Sequence, residues 1–147
     1  MMKNLLFLLL ALFIFSCGGG SSNSKEEESE KTEEIAQVEA PSDGKIAYTK
    51  YCRSCHQVNG TGSPGLYPPL TNTEWVTGDK ERLIGIVING LTGSIEVNGE
   101  QYDNVMPPMP YMSDQEIAEV LTYVRSNFGN SASEVTVAEV EKVRASK

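Results

Sequence analysis

Beyond residue 42 the apolar positions fall into helical stripes separated by short polar and glycine-rich breaks. Ser42 is placed to cap a helix whose inner face carries Ala47, Tyr48, Tyr51, Cys52 and Cys55, because residues three and four apart share one side of a 3.6-residue turn. Asp79 opens a second stripe through Leu83, Ile84, Val87 and Ile88, which stops at Gly90. Ser113-Asp114-Gln115-Glu116 spells a capping box, and Ile117, Val120, Leu121, Val124 and Phe128 follow it on one face until Gly129. A second box, Thr136 to Glu139, opens a shorter helix with Val140 and Val143 together. Between the helical stripes, Ile95, Val97 and Tyr102 flank Asn98-Gly99, the signature of a two-residue type I′ hairpin. Asn59-Gly60-Thr61-Gly62 and Pro64-Gly65 read as loop, and no segment repeats. The pattern predicts an all-α domain carrying one small β-hairpin.

The amino-terminal stretch follows a different logic. Lys3 precedes an unbroken apolar run of 11 residues, Leu5 to Phe15, which has the length of a signal peptide and is too short to cross a bilayer as a helix. Ile14-Phe15-Ser16-Cys17 resembles the lipobox of bacterial lipoproteins, whose cysteine is acylated and becomes the first mature residue. The alternative is an ordinary signal peptide with an incidental cysteine, but no A-x-A cleavage site is visible. Residues 18–42 hold seven Glu against two Lys and no aromatic residue, the composition of a disordered acidic tether. The expected organisation is a lipoprotein signal peptide over residues 1–16, a lipidated Cys17 and linker over 17–42, and one folded domain over 43–147. The place this implies is the bacterial cell envelope, lipid-anchored and facing the periplasm. Loss of Lys3 with the signal takes the formal charge from -8 to -9. So acidic a chain is a poor partner for nucleic acid.

The chemistry concentrates in Cys52-Arg53-Ser54-Cys55-His56, because C-x-x-C-H is the attachment motif for c-type haem. Two thiols three residues apart can add to the two vinyl groups of one porphyrin, and the adjacent imidazole can ligate the iron. His56 is the chain's one histidine, so ligation by two histidines of the same molecule is excluded. A zinc site would need more ligands than these three, and the third cysteine, Cys17, lies far upstream. A thioredoxin-like C-x-x-C would follow a strand, whereas the preceding pattern is helical. With Cys17 assigned to lipid and the other two to haem, no thiol is left over in an oxidising compartment.

From Gly44 to about Arg144 the chain resembles the class I monohaem cytochromes c, and is similar to the small ones that accompany quinoprotein dehydrogenases, nitrite reductases and oxidases. The resemblance rests on Gly44 and Tyr48 before the haem motif, on Gly60 to Gly62 and Pro68 to Leu70 after it, and on Met106-Pro107 ahead of the last family helix. It implies a fold wrapped around one covalent haem, with the hairpin inserted before the methionine loop, and a crossing of the first helix with the stretch near Val120 and Tyr123. Met106 would be the second axial ligand, with Met109-Pro110 a competitor and Met112 a more distant one. The carbonyl of Pro68, or of Pro69, would accept the other N–H of His56, and Trp75 can donate its indole N–H to a haem propionate. The implied role is a tethered electron carrier that transforms no substrate, with a dehydrogenase, reductase or terminal oxidase as partner. The alternative is a haem-based sensor or enzyme with an open sixth iron position.

Overall fold

A computed structural model of the chain describes residues 43–146. The signal, the tether and the Ser42 cap lie outside the described residues. Among the described residues six helices and one hairpin follow in order: α1 (Asp43–Tyr51), α2 (Arg53–His56), α3 (Glu74–Thr77), α4 (Lys80–Asn89), β1 (Ile95–Val97), β2 (Glu100–Tyr102), α5 (Asp114–Ser126) and α6 (Val137–Ala145). The strands pair antiparallel with Val97 opposite Glu100, which leaves Asn98 and Gly99 as a two-residue turn at φ 52° and 85°. Positive φ at both turn positions suits the twist of the flanking strands.

The domain is organised by the crossing of α1 over α5. A Cβ on Gly44 would lie 2.3 Å from the carbonyl oxygen of Glu119 and 2.8 Å from the Cβ of Tyr123, so the two backbones approach as closely as a missing side chain permits. Glu119 and Tyr123 receive this glycine, while Val120, one residue on, is buried beside the central cleft. Below the crossing, Tyr48, Tyr123 and Phe128 form an aromatic cluster with ring centroids 5.0 to 5.7 Å apart. Tyr48 is 2 % exposed, and its hydroxyl donates to the Gln57 carbonyl at 2.6 Å. Burial of an aromatic body with a satisfied polar tip favours one register of α1 over the haem-motif turn.

Both capping boxes form. Ser113 and Glu116 exchange side-chain and backbone bonds at the start of α5, and Thr136 and Glu139 do so at the start of α6. Two local readings are corrected by tertiary structure, and one short helix had no sequence reading. The first helical stripe is broken at Cys52, which lies between α1 and α2 at φ -111°. The third stripe ends at Ser126 instead of Gly129, because the Ser126 hydroxyl and the Asn127 amide donate back to the carbonyls of Thr122 and Tyr123. Phe128 then turns to φ 57° and still reaches the aromatic cluster. Helix α3 is a four-residue turn capped by Thr73, below the length at which periodicity is visible.

Cations knit the carboxy-terminal part to the rest, Arg125 and Lys80 among them. Arg125 is 3 % exposed and spends its donors on carbonyls, those of Val76 at 2.6 Å, Gly78 at 3.2 Å and Ser133 at 2.7 Å. Lys80 of α4 grips both oxygens of Glu139 at 2.8 and 3.1 Å, beside the fully buried Val140. The Lys80 ammonium, followed by the Thr136 backbone N–H, holds the Glu139 carboxyl below the usual carboxylate range. A depressed folded value stabilises the fold above the unfolded value, and that contribution disappears as pH falls through the folded one. Glu139→Gln keeps a cap acceptor but loses the charge, and is therefore expected to cost about 0.5 to 1 kcal/mol at pH 7 through the partly screened pair with Lys80. Denaturant titrations should show the difference from wild type shrinking below roughly pH 4.

Candidate functional site

The elements line a cleft with a cavity volume of about 200 Å³, partly open to solvent. The α1–α2 segment contributes Tyr51, Cys52, Cys55 and His56, the loop after it Pro68 to Leu70, and α4 and α5 contribute apolar side chains such as Val87 and Leu121. The segment before α5 adds Met106, Met109 and Met112. Among the described residues no Asp, Glu, Lys or Arg lines the cleft. Such a lining disfavours any net charge placed inside it.

His56 is oriented by backbone on its far side. Its Nδ1 lies 3.0 Å from the Pro68 carbonyl, which can only accept, so that nitrogen carries the proton and Nε2 is left as the free donor of a lone pair. Burial pushes the imidazole pKa down, against the smaller opposing effect of this bond, and neutral imidazole is the form that ligates metal. The loop that carries the Pro68 carbonyl is held by hydrogen bonds on either side of it. Gly62 N–H donates to the His56 carbonyl at 3.0 Å, and Leu70 N–H donates to Gly60 at 2.7 Å. Asn130, 7 % exposed, donates to the carbonyls of Leu70 and Val124 at 2.8 Å each while accepting from Asn72 N–H at 2.9 Å. Asn130 carries no local signal; its contacts span 58 and 60 residues and emerge only in the fold.

Cys52 and Cys55 are unpaired thiols beside the imidazole. Burial, and then the neighbouring Cys55, push the Cys52 thiol up to about 12, so it stays protonated at neutral pH. The methionines differ in how they are held. Met106 is half-buried and its backbone is bridged both ways to Leu91 at the end of α4, at 2.9 and 3.0 Å. Met109 and Met112 are 8 % and 2 % exposed, and Met109 N–H donates to Val87 at 3.0 Å. Trp75 also lines the cleft, but the structure gives its N–H a different partner from the one expected: it donates to the Glu96 carbonyl at 2.8 Å, with Arg82 stacked 4.6 Å from the ring. That bond ties α3 to the hairpin. Among the described residues no three His, Cys, Asp or Glu gather as a zinc site would require.

These residues fit haem c: an apolar cleft with two adjacent thiols, a neutral imidazole with one nitrogen already engaged, and thioether sulfurs on another segment. The fit depends on Gly62. A Cβ there would lie 2.2 Å from the Tyr67 carbonyl oxygen and 2.6 Å from that of Pro68, at a φ of +63°. Gly62→Ala should lose roughly 3 kcal/mol or more in denaturant unfolding and hasten exchange of the His56 Nδ1 proton seen by NMR. Gly65→Ala, at φ +70° with nothing within 4 Å, should lose only about 1 kcal/mol and leave the ring proton unchanged.

Comparison with known proteins agrees with this geometry. The cytochrome c family model matches residues 41–128. Cytochrome c-552 of Thermus thermophilus is 38 % identical over 117 residues, covering 74 % of this chain and 78 % of that protein. The fructose dehydrogenase cytochrome subunit of Gluconobacter japonicus is 34 % identical over 71 % of this chain but only 22 % of its own length. The Cbb3-type cytochrome c oxidase subunit FixP of Azorhizobium caulinodans is 29 % identical over 75 % of this chain and 36 % of its own. The chain belongs to the cytochrome c family, electron carriers that bind haem c covalently.

Proposed function

We propose that this cytochrome c is a membrane-tethered carrier of single electrons, with one haem joined to Cys52 and Cys55 and its iron held by His56 and Met106. The observation that carries the reading is the convergence of the C-x-x-C-H turn and the methionine segment on one cleft without a charged side chain. When bound, haem supplies a reversible one-electron couple. The residues of this chain set its poise. The Pro68 carbonyl polarises the His56 ring and raises its basicity. A thioether favours the ferrous state, and an uncharged lining disfavours the added positive charge of the ferric one. Met106, followed by Pro107, is the preferred ligand, and its backbone exchanges two hydrogen bonds with Leu91 just past α4, which fixes where its side chain begins. A filled sixth position suits transfer of electrons over binding of gases.

The partners proposed are redox proteins, since several relatives are named as cytochrome subunits of dehydrogenases or of an oxidase. The tether of residues 18–42 would confine the domain to the neighbourhood of the membrane and raise its effective concentration there. Among the described residues no helix is long and apolar enough to cross a membrane. Attachment is assigned to Cys17 on the resemblance of Ile14-Phe15-Ser16-Cys17 to a lipobox.

Two measurements test this reading. The oxidised protein should show the weak long-wavelength absorption band of an iron–sulfur bond. Met106→Ala should abolish the band and let the reduced protein bind carbon monoxide, whereas loss in Met109→Ala with retention in Met106→Ala would transfer the ligand role. For the anchor, full-length protein should partition with membranes. Cys17→Ser should release most of it or leave an unprocessed precursor, and mature Cys17→Ser protein that stays tightly bound would reject lipidation at this residue.

A further inference from the structure

Residues 103–112, which carry the three methionines, form no helix or strand, so whatever holds their backbone holds the sulfurs. At its start the segment is bridged to Leu91, and Met109 N–H is bound to Val87, both on the side of α4. At its far end the holding group comes from the carboxy-terminal helix. The Arg144 guanidinium donates through Nε to Asp114 Oδ1 at 2.7 Å, through Nη1 to the Pro110 carbonyl at 3.2 Å and through Nη2 to the Met112 carbonyl at 2.8 Å. Asp114 is the first residue of α5, so one side chain ties the end of the methionine segment to the start of the helix that lines the cleft.

We infer that Arg144 is a positioning residue for the methionine segment, acting as a clamp on residues 110–114 that limits how far the stretch carrying Met106, Met109 and Met112 can move away from the cleft. The inference rests on the proposed methionine ligation for its meaning, though the clamp itself is a property of the chain. Three features support it. An arginine fork can satisfy a carboxylate and two carbonyls at once, which a lysine ammonium on a flexible stem does poorly. Helix α6 is anchored independently of the segment, by the fully buried Val140, by Glu139 on Lys80 and by Lys142 on Glu81, so Arg144 has a fixed base to pull from. The family match ends at residue 128, so this helix lies outside the part of the chain that the family model describes.

A clamp predicts local opening, not general instability. In the haem-loaded full chain, Arg144→Ala should speed amide hydrogen exchange at Met109 and Met112 by about tenfold or more while amides of α1 keep their rates. The iron–sulfur band should then fade on heating before far-UV circular dichroism is lost, where in the wild type the two losses lie closer together. Arg144→Lys should be intermediate, and Glu141→Ala, an exposed change in the same helix that touches neither the segment nor the anchors of α6, should leave both amides at wild-type rates. Unchanged rates at Met109 and Met112 in Arg144→Ala, or rates raised only in step with α1, would overturn the inference. Should the wild type show no iron–sulfur band, methionine ligation falls while the exchange comparison still decides the clamp.

Discussion

The close crossing of α1 and α5 is the constraint on which the rest of this domain depends. With Gly44 against the Glu119 carbonyl, the first helix has one depth and one register, and the residues that follow it are delivered to one place. Tyr48 reads that register a second time, since its ring enters the aromatic cluster and its hydroxyl meets the Gln57 carbonyl just past the haem motif. A larger residue at position 44 would push the helices apart and displace Cys52, Cys55 and His56 together. The site is thus set by packing that lies outside it.

From this crossing a chain of backbone bonds runs around the imidazole. His56 leans on Pro68, Pro68 is crowded by Gly62, and the loop is closed by Leu70 on Gly60 and by Asn130 on Leu70. Neutral groups make every one of these contacts, which keeps charge away from the cleft while leaving no buried polar side chain unsatisfied among the described residues. The charged groups serve elsewhere. Arg125 and Arg144 bind loops through their carbonyls, holding backbone without placing a charged side chain in the cleft lining.

Much of this was legible in the sequence. The capping boxes at Ser113 and Thr136, the turn at Asn98-Gly99 and the C-x-x-C-H motif are all local, and local chemistry decides them. The same holds for the placement of Met106, Met109 and Met112 in one segment. What escaped was long-range or very short. Helix α3 is a single turn, the end of α5 depends on side chains folding back at Ser126 and Asn127, and Trp75 chose a carbonyl 21 residues away. Asn130 and Arg144 look like ordinary polar residues until the fold brings them to Leu70 and Met112. No periodicity marks such pairs, because their partners are selected by topology.

The central claim, that the cleft takes one haem fixed through both thiols of the motif, is tested most directly by mass spectrometry of the denatured and digested protein. It should come from a host able to mature c-type cytochromes. The account predicts one haem mass, surviving denaturation, on the peptide that contains Cys52, Cys55 and His56, with no free thiol remaining on that peptide and no haem on any other. An unmodified peptide, with haem released on denaturation, would contradict it.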